Sequence, residues 1–130
     1  MKMAYSFAVV FLLAAFLLFA GCTGTCTQML YDDDNGKTVD VSKGCEIRVE
    51  LSENPTTGYT WELTAPGLTY VSDEYVADAN TEGLVGAGGV HIFTYTADNT
   101  GTHTIDGIYK RSWEETSTDD TTWSATVVVK

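Results

Sequence analysis

The chain of 130 residues has little positive charge. Seven Lys and Arg stand against 18 Asp and Glu, a formal net charge of −11 at pH 7. That excludes a nucleic-acid surface, because phosphates demand a basic face. Histidine is scarce: His91 and His103 both fall in strand-like segments, where a half-buried strand residue is the ordinary reading. Neither shares a metal-ligand spacing with the cysteines. No Gly-x-Ser-x-Gly elbow and no phosphate loop occurs. The pairs Glu114-Glu115 and Asp119-Asp120 lie in a polar stretch, not in the apolar setting that holds a catalytic carboxylic acid. Asp32-Asp33-Asp34-Asn35-Gly36 lacks the spread and the distal Glu of a calcium loop. No enzyme, cofactor or metal is expected. A sustained helical period is also missing after residue 21, as are internal repeats, low-complexity tracts and a second domain.

What is present is alternation. Cys45, Ile47, Val49 and Leu51 alternate with Glu46, Arg48, Glu50 and Ser52, so one face is buried and one is wet. Tyr59, Trp61 and Leu63 repeat the pattern, as do Phe93 and Tyr95, then His103 to Tyr109, then Trp123, Ala125, Val127 and Val129. Shorter strands fit 28–31 and 37–41, and a longer one fits 68–78, with a bulge or bend between Val71 and Tyr75. Asn35-Gly36 and Asp98-Asn99-Thr100-Gly101 read as hairpin turns. Strands at short intervals with turn residues between them predict an all-β sandwich of about seven to eight strands.

The N-terminus reads as a targeting segment. Lys2 precedes an unbroken apolar run from Phe7 to Ala20, short for a span of ~20 residues. Phe19-Ala20-Gly21-Cys22 resembles a lipobox, with Phe19 where Leu is usual. A plain secretory signal cut near Ala20 and an uncleaved anchor are the alternatives. The expected organisation is a lipoprotein-type signal peptide over 1–21, a short linker over 22–27 after a lipidated Cys22, and a domain over 28–130. The protein is then exported, either held on the outer face of the membrane by its lipid alone or secreted. Export favours a disulfide between the remaining Cys26 and Cys45, against two separate thiols. It would close a loop of ~20 residues, worth ~3 kcal/mol. The acidic surface either only solvates the domain or steers it to a basic partner.

Three connections have unusual composition. In Asn54-Pro55-Thr56-Thr57-Gly58-Tyr59, Pro55 fixes φ, two β-branched residues stiffen the loop, Gly58 permits a turn and Tyr59 restarts the core pattern. Gly86-Ala87-Gly88-Gly89 lacks side chains, which lets a partner's backbone approach. Arg111-Ser112-Trp113 joins the two residue types most enriched at interface hot spots. A Trp in this polar loop is either displayed or is a lid over one end of the sandwich. The three are the second, fourth and sixth connections of the strand count, and alternate connections gather at one end of a sandwich.

At these residues the chain resembles the chagasin family of cysteine-protease inhibitors. That family carries an Asn-Pro-Thr-Thr-Gly-aromatic loop, a Gly-x-Gly-Gly loop and an Arg-Pro-Trp loop in this order. The likeness runs from about Tyr31 to Lys130. It implies an immunoglobulin-like sandwich that inhibits papain-like cysteine proteases reversibly and without a covalent bond, as a monomer. Three loops would form a wedge across the active-site cleft. Thr56 and Thr57 would stand nearest the catalytic pair, Gly86 to Gly89 would lie along the non-primed side, and Trp113 would pack on the primed side with Arg111 in support. Ser112 departs from the family's Pro and leaves the third loop looser. The competing expectation is an extracellular binding or adhesion module that keeps the fold without inhibition.

Overall fold

A computed structural model describes residues 26–78 and 88–130. The signal segment, Cys22, Gly86 and Ala87 lie outside the described residues. The predicted alternation becomes eight described strands: β1 (Thr27–Tyr31), β2 (Thr38–Val41), β3 (Glu46–Glu53), β4 (Tyr59–Thr64), β5 (Thr69–Ala77), β6 (Gly89–Thr96), β7 (Gly101–Arg111) and β8 (Thr121–Val129). They form two four-stranded sheets, in the orders β1-β3-β6-β5 and β2-β8-β7-β4. The β1/β3 and β2/β8 pairs are parallel and the other neighbours antiparallel. The architecture is an all-β, immunoglobulin-like sandwich.

Period-two patterning explains the core. Ile47, Val49 and Leu51 of β3 and Phe93 and Tyr95 of β6 pack against Ile105 of β7 and Trp123, Ala125, Val127 and Val129 of β8. Trp123 ties the sheets further, its Nε1–H donating to Tyr31 O at 3.1 Å. A disulfide joins Cys26 to Cys45, with Cα atoms 5.0 Å apart. It links the entry of β1 to the entry of its parallel neighbour β3.

Two turns do not make hairpins. Asn35 has φ −54° and ψ 125°, and only Gly36 has positive φ, 81°. With Lys37 N–H on Asp34 O, this is a type II turn, whose geometry splays the flanking strands. It carries the chain from one sheet to the other and docks on β8, where Gly36 N–H donates to Ser124 O at 2.7 Å. The Asp98–Gly101 turn likewise crosses between sheets. β6 pairs with β3 and β5, and β7 with β8 and β4, so tertiary partners override the local turn signal. The acidic run at Asp32–Asp34 acts as a brace. Asp32 accepts from Ser52 N–H and Oγ–H, and Asp34 accepts from Tyr31 N–H and pairs with Lys37.

The β5 irregularity falls at Val71, where the register with β6 shifts between Tyr70 and Ser72. β5 is an edge strand, exposed along its whole length, so Tyr70 and Tyr75 are not core residues.

Candidate functional site

Strand register brings the loops together. At the end of β3, Glu53 lies opposite Gly89, the first residue of β6. At the start of β4, Tyr59 lies opposite Arg111, the last residue of β7. The loop over 54–58 therefore has Gly88 and the start of β6 on one side and the β7–β8 connection on the other. Because β1 is a full strand, these loops are the third, fifth and seventh connections, still alternate and still at one end.

The central loop is a single 3-10 turn, Pro55–Thr57, capped at both ends. Asn54 is the N-cap. Its Oδ1 accepts from Thr56 N–H at 3.2 Å and Thr56 Oγ1 at 2.6 Å, and its carbonyl accepts from Thr57 N–H and Oγ1. Pro55 at the first turn position has no N–H that would need an acceptor. Gly58 closes the turn in the left-handed region, φ 84°, with its N–H on Pro55 O at 3.0 Å. None of the turn's residues is buried, so its shape rests on these bonds and on its neck. Thr56 and Thr57 stand exposed at the tip.

The neck is aromatic. Asn54 N–H donates to the Tyr109 hydroxyl at 3.0 Å. Tyr109 stacks on Trp61 at 5.0 Å and tilts against Tyr59 at 5.5 Å. Arg111 covers the Tyr59 ring, its guanidinium carbon 4.7 Å from the centroid. Its Nε–H donates to Thr57 O at 3.1 Å, and its Nη1 pairs with Glu114. One arginine thus joins the first loop to the third.

Glu114 N–H donates to Arg111 O, which makes Ser112 and Trp113 the central residues of a β-turn. Trp113 is 69% exposed, so it is displayed and is not a lid on the core. Its indole lies on Gly58, where any Cβ would overlap it. On the other side, a Cβ on Gly88 would come within 3.3 Å of Glu53 O. Gly89 is needed for a reason internal to the fold: a side chain there would run into the backbone of β5 at Val76 and Ala77.

Sequence reasoning missed four residues of this end. The sequence places Tyr109 in a strand and at the Tyr109-x-Arg111 spacing that resembles the family's, without its role as an anchor of the first loop. Glu53 is buried, 5% exposed, and its Oε1 accepts from Trp61 N–H at 2.7 Å. His91 lies between Glu53 and Asp73, and Asp73 also accepts from the Tyr70 hydroxyl. That hydroxyl, and then His91, hold the Asp73 carboxyl below its ordinary range. The one available signal was Glu53 itself, a carboxylate at the inward position that continues Ile47, Val49 and Leu51.

A rigid sandwich that presents adjoining preformed loops from one end defines a binding module built around a fixed turn. Residues 40–127 match the family described as chagasin family peptidase inhibitors, and the chain belongs to that family. It is an inhibitor of peptidases and not an enzyme. It is 37% identical over 93 residues to Amoebiasin-1 of Entamoeba histolytica, covering 71% of this chain and 90% of that protein. It is 33% identical over 92 residues to Chagasin of Trypanosoma cruzi, covering 65% and 82%. Among solved structures, a cysteine protease inhibitor of Entamoeba histolytica superposes with a TM-score of 0.74 at 25% identity, over 82% of this chain and 97% of that one.

Proposed function

We propose that this inhibitor blocks papain-like cysteine proteases reversibly and without a covalent bond, by setting three loops as a wedge across the active-site cleft. The observation that carries this reading is the joined pair of loops: Arg111 bonded to Thr57, and Trp113 seated on Gly58. A turn held by its own caps and by a neighbouring loop gives up little conformational entropy on binding. Thr56 and Thr57 at the tip meet the catalytic Cys-His pair. Residues 86–89 line the non-primed side, and Trp113 reaches aromatic residues of the primed side. Arg111 supports from within. The likeness to a cysteine protease inhibitor of known structure supports this target class. Family membership favours it over an adhesion module that has lost inhibition.

The inhibitor acts outside the cell as a monomer, held at the membrane by a lipid on Cys22. Phe19-Ala20-Gly21-Cys22 after an apolar run supports the anchor. Titrating papain and a cathepsin with the purified protein tests the activity. Stoichiometric loss of peptidase activity, recovered on dilution, is expected, and full activity at micromolar inhibitor overturns the reading for those enzymes. Mass spectrometry of the mature N-terminus tests the anchor. A diacylglyceryl group on Cys22 is expected, and an unmodified Cys22 or cleavage elsewhere removes it.

A further inference from the structure

The loop over 54–58 leaves the first sheet at β3 and enters the second at β4, so its neck is a crossing between sheets. Glu53 is the last residue of β3, and its side chain points inward. A buried carboxylate needs donors. Glu53 takes one from the far side of the crossing, the Trp61 N–H of β4, at 2.7 Å. Trp61 Nε1–H returns the bond to Ser52 O at 2.8 Å. Two hydrogen bonds therefore close the base of the loop.

The second partner of Glu53 Oε1 is His91 Nδ1 of β6, at 2.9 Å. The other ring nitrogen, Nε2, is 2.6 Å from Asp73 Oδ2 of β5. Ionised carboxylates only accept, so both contacts are hydrogen bonds when the ring carries both N–H groups. The ring is fixed further by stacking on Phe93, centroids 4.1 Å apart, and Asp73 by the Tyr70 hydroxyl. The chain Tyr70–Asp73–His91–Glu53–Trp61 thus runs through four strands and ends at the inhibitory loop. No residue of Pro55–Thr57 is buried, so the angle of the loop depends on what holds its neck.

We infer that Glu53 and His91, steadied by Asp73, are positioning residues that hold the 54–58 loop in its binding shape from within the fold. The inference rests on the wedge reading for its effect on inhibition, but not for its effect on loop order. Removing a link frees the loop while leaving the sandwich folded.

The test compares the purified wild type with Glu53→Ala, Glu53→Gln and His91→Phe. Backbone 15N order parameters are measured at Thr56, Thr57 and Gly58, with Val127 of β8 as the internal standard, alongside inhibition of papain. The wild-type loop should sit near the rigid value of about 0.85. Glu53→Ala and His91→Phe should drop it below about 0.6 with Val127 unchanged. Both should raise the inhibition constant about tenfold, because the loop must then be ordered on binding. Glu53→Gln keeps a carbonyl acceptor for Trp61 N–H and should recover most of both effects. Loop order unchanged in Glu53→Ala and His91→Phe, or lost only together with Val127, overturns the inference. If Glu53→Ala does not fold, His91→Phe against Glu53→Gln decides. Loop disorder in the variants, with a wild type that leaves papain untouched, upholds the positioning role and removes the wedge reading instead.

Discussion

Trp113 concentrates the binding argument in one side chain. It is exposed, it rests on Gly58, and it has no role in the core. Trp113→Ala should weaken inhibition by ~2 kcal/mol or more, read as the inhibition constant, with the melting temperature unchanged. Its neighbour is suboptimal. Ser112 is the i+1 residue of its β-turn, the position at which proline pre-sets φ. Ser112→Pro should tighten the loop and lower the inhibition free energy by ~0.5–1 kcal/mol, and a weaker inhibitor would rule this out. Pro55, Gly58 and Trp113 were legible because each carries its meaning in its own chemistry: a fixed φ, a permitted positive φ, an aromatic ring with no inward position. Glu53 was not, because its partner His91 lies 38 residues on and only the folded sheet brings them together.

The strands were legible in the sequence and several of their partners were not. Inward positions follow from a period of two. Whether Asp98–Gly101 folds β7 back on β6 or sends it to the other sheet depends on residues far from that turn. The β5–β6 pair yields a pH prediction. Burial, and then the charges near Tyr70 and Asp73, push the Tyr95 phenol up to about 12. Between the ordinary 10 and about 12 the unfolded chain has lost this proton and the folded one has not. Stability should therefore fall across that window, by at most about 1.4 kcal/mol per pH unit from this group. Tyr95→Phe should flatten that limb in urea titrations. At the other extreme, Tyr70 and His91 hold the Asp73 carboxyl low, so its contribution is present above about 4 and lost as pH falls further. Asp73→Asn should shrink the acid limb.

At the scale of the molecule, the all-β class could be read from alternation and turn spacing. The nearness of the 54–58 and 111–113 loops could be anticipated from the parity of the connections. The parallel edge strands could not, since nothing local in Thr27–Tyr31 or Thr38–Val41 names a partner. The Cys26–Cys45 bond fastens one of those edges. Replacing both cysteines with serine should lower the unfolding free energy by ~3 kcal/mol in reducing-agent-free urea titrations. Loss of much less would place the holding force of β1 in its ladder to β3.

The other edge has no such fastening, and its pairing sets an order in time. Thr38 of β2 lies against Thr126 of β8, so an early strand waits for one of the last to be made. Pairings this distant form slowly and late. The second sheet supplies β4 and β7, from which two of the three loops hang. While the chain is still being synthesised, then, the residues of the wedge are all made before the strand that completes their second sheet.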